Sequence, residues 1–105
     1  MSKIHKLAVL TSGGDAPGMN AAIRAVARTG FYYGTEVYGV KRGYQGLIDG
    51  DMSELDNQNV ANIIQRGGTI LKSERSKEFM EKEGRQKAYN NLTKHHIDAM
   101  IVIGG

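Results

Sequence analysis

Lys6-Leu-Ala-Val-Leu-Thr11, running straight into Ser12-Gly13-Gly14-Asp15, is the stretch on which the reading of this chain turns. A short apolar run that stops at a glycine pair suits a buried strand delivered into a tight turn. A helix is expected next, with Asp15 as its cap and Pro17 in its first turn. Met19, Ala22, Ile23, Val26, Ala27 and Gly30 recur at helical spacing and form the face to be buried.

Working outward, Thr35-Glu-Val-Tyr-Gly-Val40 reads as a second strand and Arg42-Gly-Tyr-Gln-Gly46 as a loop leaving it. Residues 47–55 suit a small extended excursion, followed by a short helix carrying Val60, Ile63 and Ile64 and stopped by Gly67-Gly68. After the run Thr69-Ile-Leu71 comes a polar loop holding Arg75. Residues 81–96 suggest an amphipathic helix with Ala88, Tyr89 and Leu92 inward, and Asp98-Ala-Met-Ile-Val-Ile103 a strand apolar on both faces. Strands alternating with helices imply an α/β fold: a Rossmann-like three-layer sandwich with a mainly parallel sheet, truncated after its third major strand. Such a truncated sheet is expected to leave an unpaired edge and uncovered apolar surface.

The 105 residues with 40% hydrophobic content supply one modest core. A formal net charge of +3 is spread along the chain without a basic block, which argues against nucleic acid and for small anionic ligands. The chain has no cysteine, so it offers neither disulfides nor thiolate metal sites, and a reducing cytoplasm is the expected location. No apolar run approaches the length of a membrane span. His5, His95 and His96 have no metal or triad spacing and are expected at the surface, and the Tyr32-Tyr33 pair is expected to pack.

Glycine is the compositional outlier, with 14 residues. Two strands end in a glycine pair, at Gly13-Gly14 and Gly104-Gly105. In an open parallel sheet the loops at strand C-termini bound the ligand crevice, and glycine admits a phosphate close to the main chain. Neither pair is a Walker loop or a GxGxxG fingerprint, and tight turns alone would use the same residues. A loop arginine such as Arg75 would ordinarily pair with Glu74 or Glu78.

The run Leu10-Thr-Ser-Gly-Gly-Asp-Ala-Pro-Gly-Met-Asn-Ala-Ala-Ile-Arg24 closely resembles the N-terminal signature of the bacterial-type, ATP-dependent 6-phosphofructokinase family. The likeness continues in order through Val37-Tyr-Gly-Val40, Gly43-Tyr-Gln-Gly-Leu47, Arg66-Gly-Gly-Thr69, Arg75 with Glu78-Phe79, and Val102-Ile-Gly-Gly105. The resemblance implies that residues 1–105 are the N-terminal nucleotide-binding portion of an incomplete domain. It places Gly14 against the ATP phosphates, Tyr44 on the nucleotide side of the cleft, Ser76 in contact with the nucleotide and Gly105 at the next phosphate loop. Arg75 becomes both a nucleotide contact and the catalytic cation that offsets charge on the transferred phosphoryl group. Ser76 stands where these enzymes often carry cysteine, and Lys77 replaces a common proline.

Arg24 and Arg28, a turn apart on one helix, are implied to bind the phosphates of an ADP-type allosteric effector. Asn57 and Asn62 stand where relatives carry charged effector residues. The implied partners are ATP, fructose 6-phosphate and the other subunits of a homotetramer. Magnesium is implied as cofactor, its aspartate ligand expected beyond Gly105, and the isolated chain is expected to be inert. A non-catalytic nucleotide-binding or anion-binding module and a pyrophosphate-dependent enzyme are the alternatives.

Overall fold

A computed structural model describes residues 4–13, 18–63 and 69–104. Strand β1 (Lys6–Ser12) leads to helix α1 (Met19–Tyr32), strand β2 (Glu36–Val40), helix α2 (Gly43–Asp49), strand β3 (Met52–Leu55) and the single turn α3 (Asn57–Val60). A 3-10 turn (Glu78–Met80), helix α4 (Lys82–Lys94) and strand β4 (Ala99–Gly104) follow. The sheet order is β3-β2-β1-β4, with β1 central, β2 and β4 parallel to it, and β3 antiparallel to β2.

Alternation along β1 sorts the chain into layers. Leu7 and Val9 face one way, packed with Ile23 and Ala27 of α1 and with Val37, Val60, Ile63 and Leu71. Ala8 and Leu10 face the other way, against Val40, Leu47 and Ile48 of α2 and Ala88 of α4. Helices therefore cover both faces, as the mainly parallel three-layer reading requires. Each fully buried Ile or Leu contributes about 1.5–3 kcal/mol of burial free energy.

Where α1 begins differs from expectation. Its cap position is Gly18, at φ 91° and without a side-chain cap, and its helical bonding starts with Ala22 N–H to Gly18 O at 2.9 Å. A left-handed glycine turn thus stands where an Asp15 cap was expected, and Asp15 and Pro17 themselves lie outside the described residues. The buried face of α1 is Met19, Asn20, Ile23, Ala27 and Gly30, with Ala22 and Val26 only half-buried.

The segment expected as a loop at 42–46 is helical. Arg42 and Gly43 both take left-handed conformations, at φ 64° and 60°, and reverse the chain into α2. Gly46 is required there, because a Cβ would lie 1.6 Å from the Lys41 carbonyl oxygen. Glycine content argued for a loop, and burial of Leu47 and Ile48 overrode that propensity. Asn91 of α4 secures the far end, its Nδ2 donating to the Leu47 and Ile48 carbonyls at 2.7 and 2.9 Å.

The next helix is also shorter than expected. Asp56 and Asn59 form a reciprocal capping box, each side chain accepting from the other's main-chain N–H at 2.8 Å. The turn ends at Val60; Ile63 is buried beyond it, and Ile64, Gly67 and Gly68 lie outside the described residues. In α4 the inward positions are Gly84, Ala88 and, half-buried, Leu92, spaced four apart. Tyr89, expected inward, is 64% exposed because one residue further rotates it roughly 100° off that line. Tyr32 and Tyr33, expected to pack, are exposed and pack edge-to-face on each other at 5.0 Å.

Strand β4, apolar on both faces, forms the kind of unpaired edge with uncovered apolar surface expected above: Met100, Ile101 and Val102 remain 38–40% exposed, and no described strand pairs with its outer side. Its start is held by Asp98, whose Oδ2 accepts from His5 N–H and Lys6 N–H at 2.8 and 2.9 Å. Those main-chain donors, Lys6 first, hold the Asp98 carboxyl below the usual carboxylate range.

Two outcomes test this packing. Gly46→Ala forces the β2–α2 turn apart and is expected to cost about 1–3 kcal/mol or more, read as a lowered thermal midpoint. Because the folded Asp98 carboxyl has the depressed pKa, its contribution is present above the ordinary carboxylate pKa and is lost as pH falls through the folded value. Asp98→Asn is therefore expected to lower stability at neutral pH and to flatten the acid limb of a stability-against-pH titration.

Candidate functional site

The cleft lies at the C-terminal tip of β1. Ser12, Gly13, Tyr44, Ser73, Glu74, Arg75 and Ser76 line a cavity of about 570 Å³. Their convergence follows from the parallel sheet, which delivers β1 and β4 at the same end, where Ser12 and Gly104 are register partners. A second, apolar groove beneath α1, lined by residues such as Leu7, Val26 and Tyr33, has no charged side chain among its described lining residues and shares none of them with this cleft.

A hydroxyl relay fixes the loop that crosses the cleft. Leu71 N–H donates to Thr69 Oγ1 at 3.2 Å, the Thr69 and Thr11 hydroxyls are 3.2 Å apart, and Thr11 Oγ1 donates to the Lys72 carbonyl at 3.0 Å. Thr11 and Thr69 are buried, so leaving either unpaired would cost about 1–3 kcal/mol. Beside the relay, Ser73 Oγ donates to the carbonyl of Gly13, which sits at φ 86°. Asn20 of α1 joins the next segment, receiving Ile70 N–H at 2.8 Å and donating to Ile63 O at 3.1 Å.

On the far side of the loop, Ser76 Oγ donates to Gln45 Oε1 at 2.8 Å and accepts from Phe79 N–H at 3.1 Å. The Ser76 hydroxyl thus serves the 3-10 turn and α2, leaving main-chain atoms to meet a ligand. Tyr44 is half-buried and stacks on Phe79, ring centroids 4.3 Å apart and planes at 20°. The stack gives the cleft one flat apolar wall.

The charges around Arg75 are distributed in an informative way. Glu74 pairs with Arg42 at 3.3 Å, and the same guanidinium reaches Asp49 at 2.9 Å and Asp51 at 3.3 Å. The hydrogen bonds it donates, to Asp49 first and then to Asp51, push the Arg42 pKa above its ordinary value. Glu78 pairs with Lys87 at 3.0 Å and accepts from Gln45 Nε2 at 3.3 Å, which together hold its carboxyl below the usual range. Arg75 is exposed and has no ion pair or hydrogen bond among the described residues. Neither glutamate expected to neutralise it does so.

Of the residues singled out in the sequence, Tyr44, Arg75 and Ser76 therefore meet at one cleft. Gly14 and Gly105 lie outside the described residues. Arg24 and Arg28 are on α1, half-buried and exposed respectively, and neither lines the cleft. Ser12, Ser73 and Glu74 line the cleft without having been singled out, and Arg42 and Gln45 organise it. Isolated polar residues carry no periodic signal; only proximity in sequence to Gly13 and Arg75 could have drawn notice to them. Among the described residues no group of three or more His, Asp or Glu is placed to hold a metal ion. The described carboxylates near the cleft, Asp49, Asp51, Glu74 and Glu78, are engaged by Arg42 and Lys87, and no step is routed through a metal ion.

A mainly parallel sheet covered on both faces, with a polar cleft at its strand tips, defines an open α/β protein of the doubly wound type. The phosphofructokinase family model matches residues 6–105, and the chain belongs to that family. It is 61% identical over 97% of its length to the ATP-dependent 6-phosphofructokinase of Cytophaga hutchinsonii and 60% identical over 97% to that of Paenibacillus macquariensis. The chain spans about a third of those relatives, 31% and 32% of their lengths. Among solved structures, Pichia pastoris phosphofructokinase in the T-state superposes with a TM-score of 0.93 at 48% identity, covering 100% of this chain and 11% of that one. A pyrophosphate-dependent phosphofructokinase from Marinobacter aquaeolei shares the fold at TM-score 0.77 and 19% identity, over 97% of this chain and 26% of that one.

Ser76→Ala removes the acceptor for Phe79 N–H and the donor to Gln45. The expected result is a loss of about 1 kcal/mol, seen as faster amide exchange at Phe79 with exchange in β1 unchanged.

Proposed function

We propose that this chain is the N-terminal nucleotide-binding portion of an ATP-dependent 6-phosphofructokinase, which transfers the γ-phosphoryl group of ATP to fructose 6-phosphate and yields fructose 1,6-bisphosphate. The observation that supports the reading is the Arg75 guanidinium, which has no ion pair among the described residues, at a strand-tip cleft whose lining carboxylate, Glu74, is held by Arg42. An anion entering there meets a cation that need not first break an internal salt bridge. ATP as donor rests on the names of relatives at 57–61% identity.

In this reading Gly14 and Gly105 are assigned to main-chain contact with the phosphates, Ser76 to contact with the nucleotide, and Tyr44 stacked on Phe79 bounds the nucleotide side. Phosphoryl transfer spreads negative charge over the equatorial oxygens, and there is little covalent chemistry for the protein to perform. Arg75 acts as a fixed cation where that charge develops, while the pinned loop limits the reorganisation needed. Magnesium, when bound, would neutralise charge on the phosphates and would be held by residues of the longer protein. The sugar-deprotonating group and most sugar-phosphate contacts are assigned to that longer protein too, as are a homotetrameric assembly and a cytoplasmic location. Arg24 and Arg28 are assigned to an allosteric nucleotide phosphate. Among the described residues, no helix is long and apolar enough to cross a membrane.

The test is a coupled assay of the full-length protein on fructose 6-phosphate, with ATP or pyrophosphate as donor. Turnover with ATP and a fall of about 10²–10³-fold in kcat for Arg75→Ala are expected, the range for losing one preorganised charge-stabilising donor. Turnover with pyrophosphate alone would reassign the donor, and undiminished kcat in Arg75→Ala would remove that residue from the mechanism.

A further inference from the structure

Arg75 is flanked by Glu74 and, one turn of chain later, Glu78, yet both carboxylates point to other cations. Their capture is built from different elements. Arg42 sits at the β2–α2 turn in a left-handed conformation, its main-chain N–H donating to Leu71 O at 2.9 Å. That bond ties the turn to the segment entering the Arg75 loop. From there the planar guanidinium directs separate nitrogens to Asp49, Asp51 and Glu74, at 2.9, 3.3 and 3.3 Å. Lys87 of α4 and Gln45 of α2 hold Glu78 from the opposite side.

Exposed ion pairs of this sort add little to stability, and Arg42 and Glu74 remain 38% and 50% exposed. A freed Glu74 would compete for the guanidinium against an incoming phosphate and would add a negative charge to the cleft wall.

We propose that Arg42 is a positioning residue that keeps Glu74 off Arg75, leaving the Arg75 guanidinium for the anionic phosphoryl donor. The assignment rests on the phosphate-cleft reading above, and its own content is the separation of one loop carboxylate from one loop cation by a third residue.

The experiment uses the full-length protein and reads ATP affinity by equilibrium dialysis and kcat/KM for ATP in the coupled assay. Arg42→Gln is expected to lower both by roughly twofold to fivefold, the range of a competing partly exposed ion pair. Adding Glu74→Gln to Arg42→Gln is expected to regain at least half of that loss on a logarithmic scale, because no carboxylate is left to capture Arg75. A purely structural role for Arg42 predicts a double variant as weak as the single one, and that result overturns the proposal, as does wild-type behaviour of Arg42→Gln. If Arg42→Gln does not fold, the comparison is made with Arg42→Lys, which keeps one cation but cannot hold Asp49, Asp51 and Glu74 together. A loss there that Glu74→Gln reverses supports the assignment, and an irreversible loss overturns it. Arg75→Ala run in parallel separates the two readings. If it binds and turns over ATP as the wild type does, the cleft reading itself fails. If it is impaired while Arg42→Gln is not, only the role of Arg42 fails.

Discussion

The buried hydroxyl relay at the end of β1 is the constraint on which the cleft depends. Thr11 is an interior residue of the central strand, and among the described residues its hydroxyl has the Thr69 side chain and the Lys72 carbonyl as partners. An unpaired hydroxyl at that depth is costly, so the main chain around residue 72 is held to the strand tip. Lys72 itself takes φ 60°, a conformation uncommon for a side-chain-bearing residue, and the relay is what holds it there. The sheet thereby sets the position of a loop that carries no regular structure of its own.

Once the loop is pinned, its charges are sorted by helices that pack against the opposite face of the sheet. Arg42 at the head of α2 takes one carboxylate, and Lys87 of α4 takes another with help from Gln45. These contacts are individually weak, and their significance lies in what they leave over. A guanidinium between two acids would normally be neutralised locally; here it faces a polar cleft with its charge available. Packing of α2, including the close approach that only Gly46 permits, is therefore linked to the electrostatics of the cleft.

Much of the architecture was legible because it rests on periodicity. The apolar run of β1 and the face of α1 at Met19, Ile23, Ala27 and Gly30 follow directly from the sequence, as does the alternation that yields a mainly parallel sheet. The errors fall where tertiary contacts outweigh local preference. Gly43-Tyr-Gln-Gly46 reads as a loop by composition and is a helix because Leu47 and Ile48 complete the core. Tyr89 was placed inward by its apolar ring, although Gly84, Ala88 and Leu92 mark the true line. The start of α1 moved from Asp15 to Gly18 because a positive-φ glycine turns the chain just before Met19. At the site, the family likeness drew notice to Tyr44, Arg75 and Ser76, whereas Arg42 and Gln45 act through side-chain geometry that spacing alone does not encode.

The central claim is that the Arg75 guanidinium is kept available at the tip of β1 for a phosphate. A crystal structure of the full-length protein with a non-hydrolysable ATP analogue tests it most directly. The account predicts the triphosphate beside Gly13, with a phosphate oxygen about 2.7–3.1 Å from an Arg75 nitrogen, while Glu74 stays on Arg42 and Glu78 on Lys87. A triphosphate seated elsewhere, or an Arg75 paired with either glutamate while the nucleotide is bound, would contradict it.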